Sequence, residues 1–189
     1  MKESTTRIVA EFDPGDDGLA AKSRELVQLL LSQSAAPFSA KQFCPGHITC
    51  TALIFHPEAQ PGESRVLTIH HHRLKRWLLP GGHVEESDLS PDAVAAREAM
   101  EETGVPVDLS CPPFLAGIDV HGIPPKQDAP YHLHHDLIWC FRAASERFEV
   151  TAEAPEVLWA RESDWDRLDI AVSIRNSIRR AERVAGKAR

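Results

Sequence analysis

Glu98, Glu101 and Glu102 place three carboxylates within five positions of a stretch, PDAVAAREAMEETG, that reads as one helix. At about 100° per residue they fall within an arc of about 100°, so their oxygens share one side of that helix. On a solvated face, like-charge neighbours cost roughly a few tenths of a kcal/mol each, and an acidic surface needs no further explanation. In a cleft the balance differs, because two carboxylates about 6 Å apart at an effective dielectric near 20 repel by roughly 3 kcal/mol. That repulsion demands a counter-ion. Clustered hard oxygens favour Mg²⁺ or Mn²⁺ over thiolate-seeking zinc, and Mg²⁺ usually shares its shell with substrate phosphates.

Those carboxylates depend on a well-bounded helix. Ser90-Pro91 is a start signal and Gly104 a stop, which predicts a helix over about 92–103 with Ala93, Ala96, Ala99 and Met100 packed on a sheet. Before it, RWLLPGGH ends an apolar run at a Pro-Gly-Gly turn. Further upstream, His47 to Phe55 and Ser64 to His70 are β-rich and flank a loop with Pro57, Pro61 and Gly62, predicting a hairpin. Downstream, Phe114 to His121 and His132 to Phe141 predict a second hairpin across a loop containing Gly122, Pro124, Pro125 and Pro130. Val157 to Ala160 reads as a last strand, and Ile170, Ile174 and Ile178 predict a helix over 164–184. At the other end, DPGDDG precedes a helical extension that sets Leu19, Leu26, Leu29 and Leu30 near one face.

The 189 residues, 42% of them hydrophobic, suit one domain with a full core. A net charge of -7 and a pI near 5.8 argue against a surface for duplex nucleic acid, which needs clustered Lys and Arg. The basic RNSIRRAERVAGKAR segment therefore reads as a solvated helix face. Cys44, Cys50, Cys111 and Cys140 form no CxxC pair and read as reduced packing residues of a cytoplasmic protein. The N-terminus lacks an apolar h-region and no apolar run approaches the roughly 18 residues of a membrane span, so we expect a soluble, unprocessed chain with no membrane partner.

Pro80-Gly81-Gly82, Arg97-Glu98, Glu101-Glu102 and Gly104 together closely resemble the signature of the Nudix (MutT-like) hydrolases. The resemblance implies an α/β fold, the Nudix α/β/α sandwich with a mixed sheet, over 46–165, with helical extensions at 1–45 and 166–189. It implies Mg²⁺ or Mn²⁺ held by Glu98, Glu101, Glu102 and the carbonyl of Gly81, Glu98 or a neighbour as base, and Arg97 holding a loop acid. The implied activity is metal-dependent hydrolysis of a nucleoside diphosphate linked to another moiety, its partner being a small nucleotide-type diphosphate; the alternative is a nucleotide-sensing module without turnover. A homodimer is compatible with this reading. The loop departs from the family pattern: Asp88 stands where the family usually has Glu, and eight residues rather than seven separate it from Arg97. The loop is thus expected to bulge, with Glu85 or Glu86 as competing partners for Arg97. Val120 to Ile123 carries neither the Pro nor the Tyr that marks selectivity for ADP-ribose or dinucleoside polyphosphates.

Outside the motif, strand alternation puts Leu133, Leu137, Trp139 and Phe141 on one face and His132, His134 and Asp136 on the other. Asp119 and His121 likewise share a face, and antiparallel pairing would gather a polar cluster. Exposed strand polarity, substrate contacts and an additional metal site are all open readings of it. His83 is a candidate phosphate contact or a turn residue, His70 to His72 read as surface, and Trp77 and Trp139 as core.

Overall fold

The computed structural model describes residues 1–187 except Pro61, Gln127 and Glu153. Its strands are β1 (Gly46–Phe55), β2 (Arg65–His71), β3 (Arg76–Leu78), β4 (Gly81–His83), β5 (Phe114–Ile123), β6 (His132–Arg142) and β7 (Glu156–Arg161). Its helices are α1 (Lys2–Glu11), α2 (Gly18–Gln33), α3 (Pro91–Thr103) and α4 (Val172–Lys187). One mixed sheet runs in the order β3-β2-β1-β6-β5, with β4 also paired to β1 and β7 to β2. At its centre β1 and β6 run parallel from Gly46↔Leu133 to Phe55↔Arg142. Both faces of this pair are covered, so both strands are buried almost throughout.

Period-2 alternation splits the core in two. Ile48, Cys50, Ile54, Leu137 and Trp139 pack under α1, α2 and α3 with Val9, Val27, Leu31, Val94 and Ala99. Leu53, Ile138 and Cys140 face the other way, onto Ile178 and Ala181 of α4 and onto Trp165. This is the expected layered sandwich. Further along that second face β1 carries His47, Thr49 and Thr51 in place of aliphatic residues, and there the functional groups collect.

Several local expectations are corrected. β1 and β2 do pair antiparallel, with Phe55 opposite Val66, but they then diverge: β1 takes β4 as partner and β2 takes β3 and β7. Pro-Gly-Gly is no free turn, because Gly81 and Gly82 lie in β4 opposite Thr51 and Cys50. α3 begins at Pro91, and Ser90 occupies the N-cap position without a side-chain cap hydrogen bond among the described residues. Gly104 closes it as expected, at φ 67, a left-handed conformation that glycine reaches without strain. Its packed face is Val94, Ala95, Ala99 and Glu102, while Met100 is 53% exposed. An alanine-rich helix has little apolar bias of its own, so the sheet's position chose the face.

α2 similarly buries Ala20, Val27, Leu30 and Leu31, leaving Leu19, Leu26 and Leu29 exposed. α1, a further helix of the N-terminal extension, is short and largely polar and packs through Thr5 and Val9, with Phe12 just beyond its end. The C-terminal helix starts at Val172, since Asp169 at φ 49 interrupts the chain and Ile170 bonds back to Trp165. Its arginines are not simply solvated: Arg175 donates to Asp166 at 2.6 Å, Arg179 to Glu162 at 3.3 Å and Arg180 to Asp17 at 3.0 Å. Cys50 and Cys140 pack in the core, whereas Cys44 and Cys111 are exposed. Trp139 is buried and Trp77 packs against the second core, while the His70 ring lies tilted beside Trp77 with centroids 5.4 Å apart. No helix of the described residues is long and apolar enough to cross a membrane.

Candidate active site

β4 and α3 bring the motif together through backbone approach. The Gly81 N–H donates to the Glu102 carboxylate at 3.0 Å, fixing the strand against the helix. A Cβ at Gly82 would lie 2.5 Å from the Glu98 carboxyl carbon, so the glycine leaves room for that carboxylate. Arg97 then organises the acids: it donates to Asp88 through Nε (3.1 Å) and Nη2 (3.0 Å), to the His83 carbonyl (2.9 Å), and through Nη1 to Glu98 (3.1 Å) and Glu101 (2.9 Å). Asp88, rather than Glu85 or Glu86, is therefore the loop acid, and it also accepts the Glu85 N–H at 2.8 Å.

Charge in this corner is out of balance. Asp88, Glu98 and Glu101 share one guanidinium, and Glu102 lies buried behind them. Burial raises the Glu98 carboxyl above the ordinary carboxylate range against the pull of Arg97, whereas Asp88, despite its own burial, is held below that range by Arg97 and the Glu85 amide. Glu98 and Glu101 converge on a single guanidinium nitrogen, with negative charge in surplus and, among the described residues of this cluster, carboxylate oxygens as the donors. Such a donor set fits a hard divalent cation.

The two glycines make a test. Gly82→Ala should push Glu98 aside rather than unfold the chain, because the obstacle is the end of a flexible side chain; at Gly81 the obstacles are the Cys50 carbonyl at 2.7 Å and the Thr51 Cα at 2.8 Å. We expect Gly82→Ala to lower kcat/KM at least about tenfold with a small change in melting temperature, and Gly81→Ala to destabilise. Equal kinetics for Gly82→Ala and wild type would contradict the placement of Glu98.

A cavity of about 690 Å³ opens beside these groups. Gly81, Gly82, Glu98 and Glu102 form one wall, and His121, His134, Asp119 and Asp136 another. β5 and β6 pair as expected, with His121 opposite His134 and Asp119 opposite Asp136. Burial works to lower the His121 pKa, but its Nδ1–H donates to the Asp119 carboxylate at 2.9 Å and that partner lifts it above the ordinary value. Burial raises Asp136, which accepts the Thr49 hydroxyl at 2.9 Å. His132 stands apart from the cavity: it is buried, with its Nδ1 2.8 Å from the Pro130 carbonyl. His135, on the opposite side of β6, is buried as well.

Sequence reasoning missed His47. It sits in β1 directly across from His134 in the parallel pair and is 0% exposed. Its ring centroid is 4.9 Å from that of His134, 5.1 Å from His132 and 5.0 Å from His83. The polar spacing His47-Thr49-Thr51 was a legible signal of a second polar strand, but its neighbour was not. Desolvation, reinforced by neighbouring rings, pushes His83 down to about 4 and His134 to about 2, and lowers His47.

Carboxylates are thus gathered on a helix behind a Gly-Gly strand, within a mixed sheet between helices. The family model described as NUDIX domain matches residues 28–181, and this chain belongs to that family, the hydrolases of phosphoric anhydrides, which generally use divalent cations. Among solved structures, a NUDIX family hydrolase from Clostridium perfringens is 24% identical, with a TM-score of 0.50 over 70% of this chain and 96% of that one. The NUDIX domain of Shewanella oneidensis NrtR, complexed with ADP ribose, is 18% identical, with a TM-score of 0.55 over 84% and 97%. The Ap4A hydrolase of C. elegans is 14% identical, with a TM-score of 0.50 over 74% and 98%. At these identities the likeness concerns the fold. No curated protein matches the chain.

Proposed function

We propose that this protein hydrolyses the diphosphate linkage of a nucleoside diphosphate joined to another moiety, using Mg²⁺ or Mn²⁺ held by Glu98, Glu101, Glu102 and the Gly81 carbonyl. The observation that carries the reading is that Glu98 and Glu102, with Gly81 and Gly82, line a 690 Å³ cavity, a size suited to a nucleotide-like ligand, while Glu101 stands outside that lining and meets Glu98 at Arg97. The similar folds complexed with ADP ribose or named Ap4A hydrolase support that ligand class.

A bound cation would neutralise phosphate charge and lower the pKa of its water. Glu98 or a neighbouring carboxylate would be the group that accepts a proton from the attacking water. Arg97, anchored by Asp88, keeps the carboxylates aimed at one point, and its bond to the His83 carbonyl ties the loop to the helix. Across the cavity, His121, His134 and Asp136 would contact the ligand's sugar or phosphate, with His83 at the near wall, a reading supported by their place in the cavity lining. Retention of all three helix glutamates favours turnover over a nucleotide sensor that only binds.

The screen that tests this offers ADP-ribose, dinucleoside polyphosphates and nucleotide sugars with Mg²⁺ or Mn²⁺ and identifies products by mass. Cleavage between two phosphates is expected; a nucleotide that raises the melting temperature yet is never cleaved with either metal would favour the sensor. Metal alone should also stabilise the fold. At about 100 times its dissociation constant, a cation that binds only the native site adds about 2.7 kcal/mol, or roughly 5–10 °C for a chain of this size. Mg²⁺ should give no such shift in the Glu101→Gln/Glu102→Gln double variant, and an equal shift there would locate binding elsewhere.

A further inference from the structure

We propose that His47, His132 and His134 form a second metal centre, separate from the helix carboxylates, that takes a zinc-class divalent cation. The candidate ligand nitrogens of the three rings all lie within 4.8 Å of one another. A tetrahedral ion with bonds of about 2.0–2.1 Å needs nitrogens about 3.4 Å apart, so small ring adjustments would close the set.

The hydrogen bonds around the rings point the same way. A carbonyl oxygen can only accept, so His47, with Nδ1 3.1 Å from the Gln42 carbonyl, and His132, with Nδ1 2.8 Å from the Pro130 carbonyl, both carry their proton on Nδ1. Each therefore presents a bare Nε2 lone pair. A backbone carbonyl that fixes the tautomer and aims the other nitrogen is the usual outer support of a metal-bound histidine. Phe43 packs near the His132 ring at 5.1 Å and closes one side.

Within the set, one ring nitrogen lacks a partner among the described residues. His47 Nε2 is buried and has no hydrogen-bond partner among the described residues, in a side chain that is 0% exposed. Buried polar atoms are rarely left so, and a cation accepting that lone pair accounts for it. His121 and Asp136 do not belong to the set, since His121 is engaged by Asp119 and Asp136 by Thr49.

The donor type separates this centre from the carboxylate site. Three imidazoles suit Zn²⁺ and its neighbours, whereas the all-oxygen cluster suits Mg²⁺ or Mn²⁺. Three protein ligands leave a fourth position for water or a ligand oxygen. His134 also lines the cavity, so the ion would stand at its wall. None of this requires the hydrolase reading to hold.

The test titrates the full chain, stripped with a chelator, with Co²⁺ and follows its visible absorption. About one equivalent should give the intense bands of a four-coordinate ion, unchanged by excess Mg²⁺ and in the Glu101→Gln/Glu102→Gln double variant. His132→Gln and His134→Ala should each weaken Co²⁺ and Zn²⁺ binding at least about tenfold. Removing buried His47 threatens folding, so the half-buried His134, with circular dichroism as the check on structure, carries the decision. Weak six-coordinate absorption, bands that survive His134→Ala, or bands lost in the glutamate double variant would each overturn the proposal.

Discussion

Glu98→Gln and Glu102→Gln should each lower kcat/KM by at least about 10²-fold, close to 3 kcal/mol of barrier, while leaving the fold intact. The amide keeps the size and one acceptor oxygen of the carboxylate, so in Glu102→Gln the bond from the Gly81 N–H, 3.0 Å in the native chain, can persist. What disappears is the negative charge that a cation needs. Glu101→Gln should act in the same direction. Its side chain is 57% exposed, though it too reaches Arg97. Without metal, each variant should be at least as stable as wild type, because one of several crowded carboxylates has been discharged. Steady-state kinetics with and without added metal, beside thermal melts, check both halves. Undiminished turnover in all three variants would sink the assignment of this cluster to catalysis.

The largest effect on stability is expected far from that site, at Asp17. Its Oδ1 accepts the Leu19 and Ala20 N–H groups at 3.1 Å each, capping α2, and its Oδ2 meets Arg180 at 3.0 Å. Arg180 is buried, lies over the Phe12 ring, and also donates to the Ala116 carbonyl at 2.8 Å and the Pro14 carbonyl at 3.1 Å, joining α4 to the sheet and to the α1–α2 link. Losing the cap costs about 0.5–2 kcal/mol and stranding a buried cation about 3–5 kcal/mol. The two overlap, so Asp17→Ala should cost about 4 kcal/mol, a fall in melting temperature of the order of 10 °C.

The same pair predicts a pH dependence with a definite sign. Burial works to raise Asp17, but the Ala20 amide and Arg180 hold it below its ordinary 3.8. A depressed folded pKa means the contribution is fully present above 3.8 and drains away as pH falls through the lower folded value. Denaturant melts of wild type and Asp17→Ala should therefore differ most near neutrality and converge in acid. A gap that stayed constant below that pH would show that the carboxylate charge plays no part.

Candidate functional residues are legible in the sequence wherever they are neighbours along one element. Three glutamates within an arc of about 100°, the shared face of His134 with Asp136 and that of Asp119 with His121 follow from the 3.6- and 2-residue periods, and Gly104 marks the helix stop, all without knowledge of the rest of the chain. Composition could not say which side of α3 would be packed, and the sheet buried the Glu102 edge while Met100 was left outside. Nor could local pattern place Gly81 and Gly82 in a strand, since that state exists only because Cys50 and Thr51 lie opposite them. The family pattern left three acids competing for Arg97, and loop geometry selected Asp88. His47 is the clearest case. Parallel pairing of β1 with β6 sets it across from His134, 87 positions further along the chain. Parallel strands need a long crossover, so no turn or short-range spacing encodes which residues they bring face to face; only the closed sheet decides it.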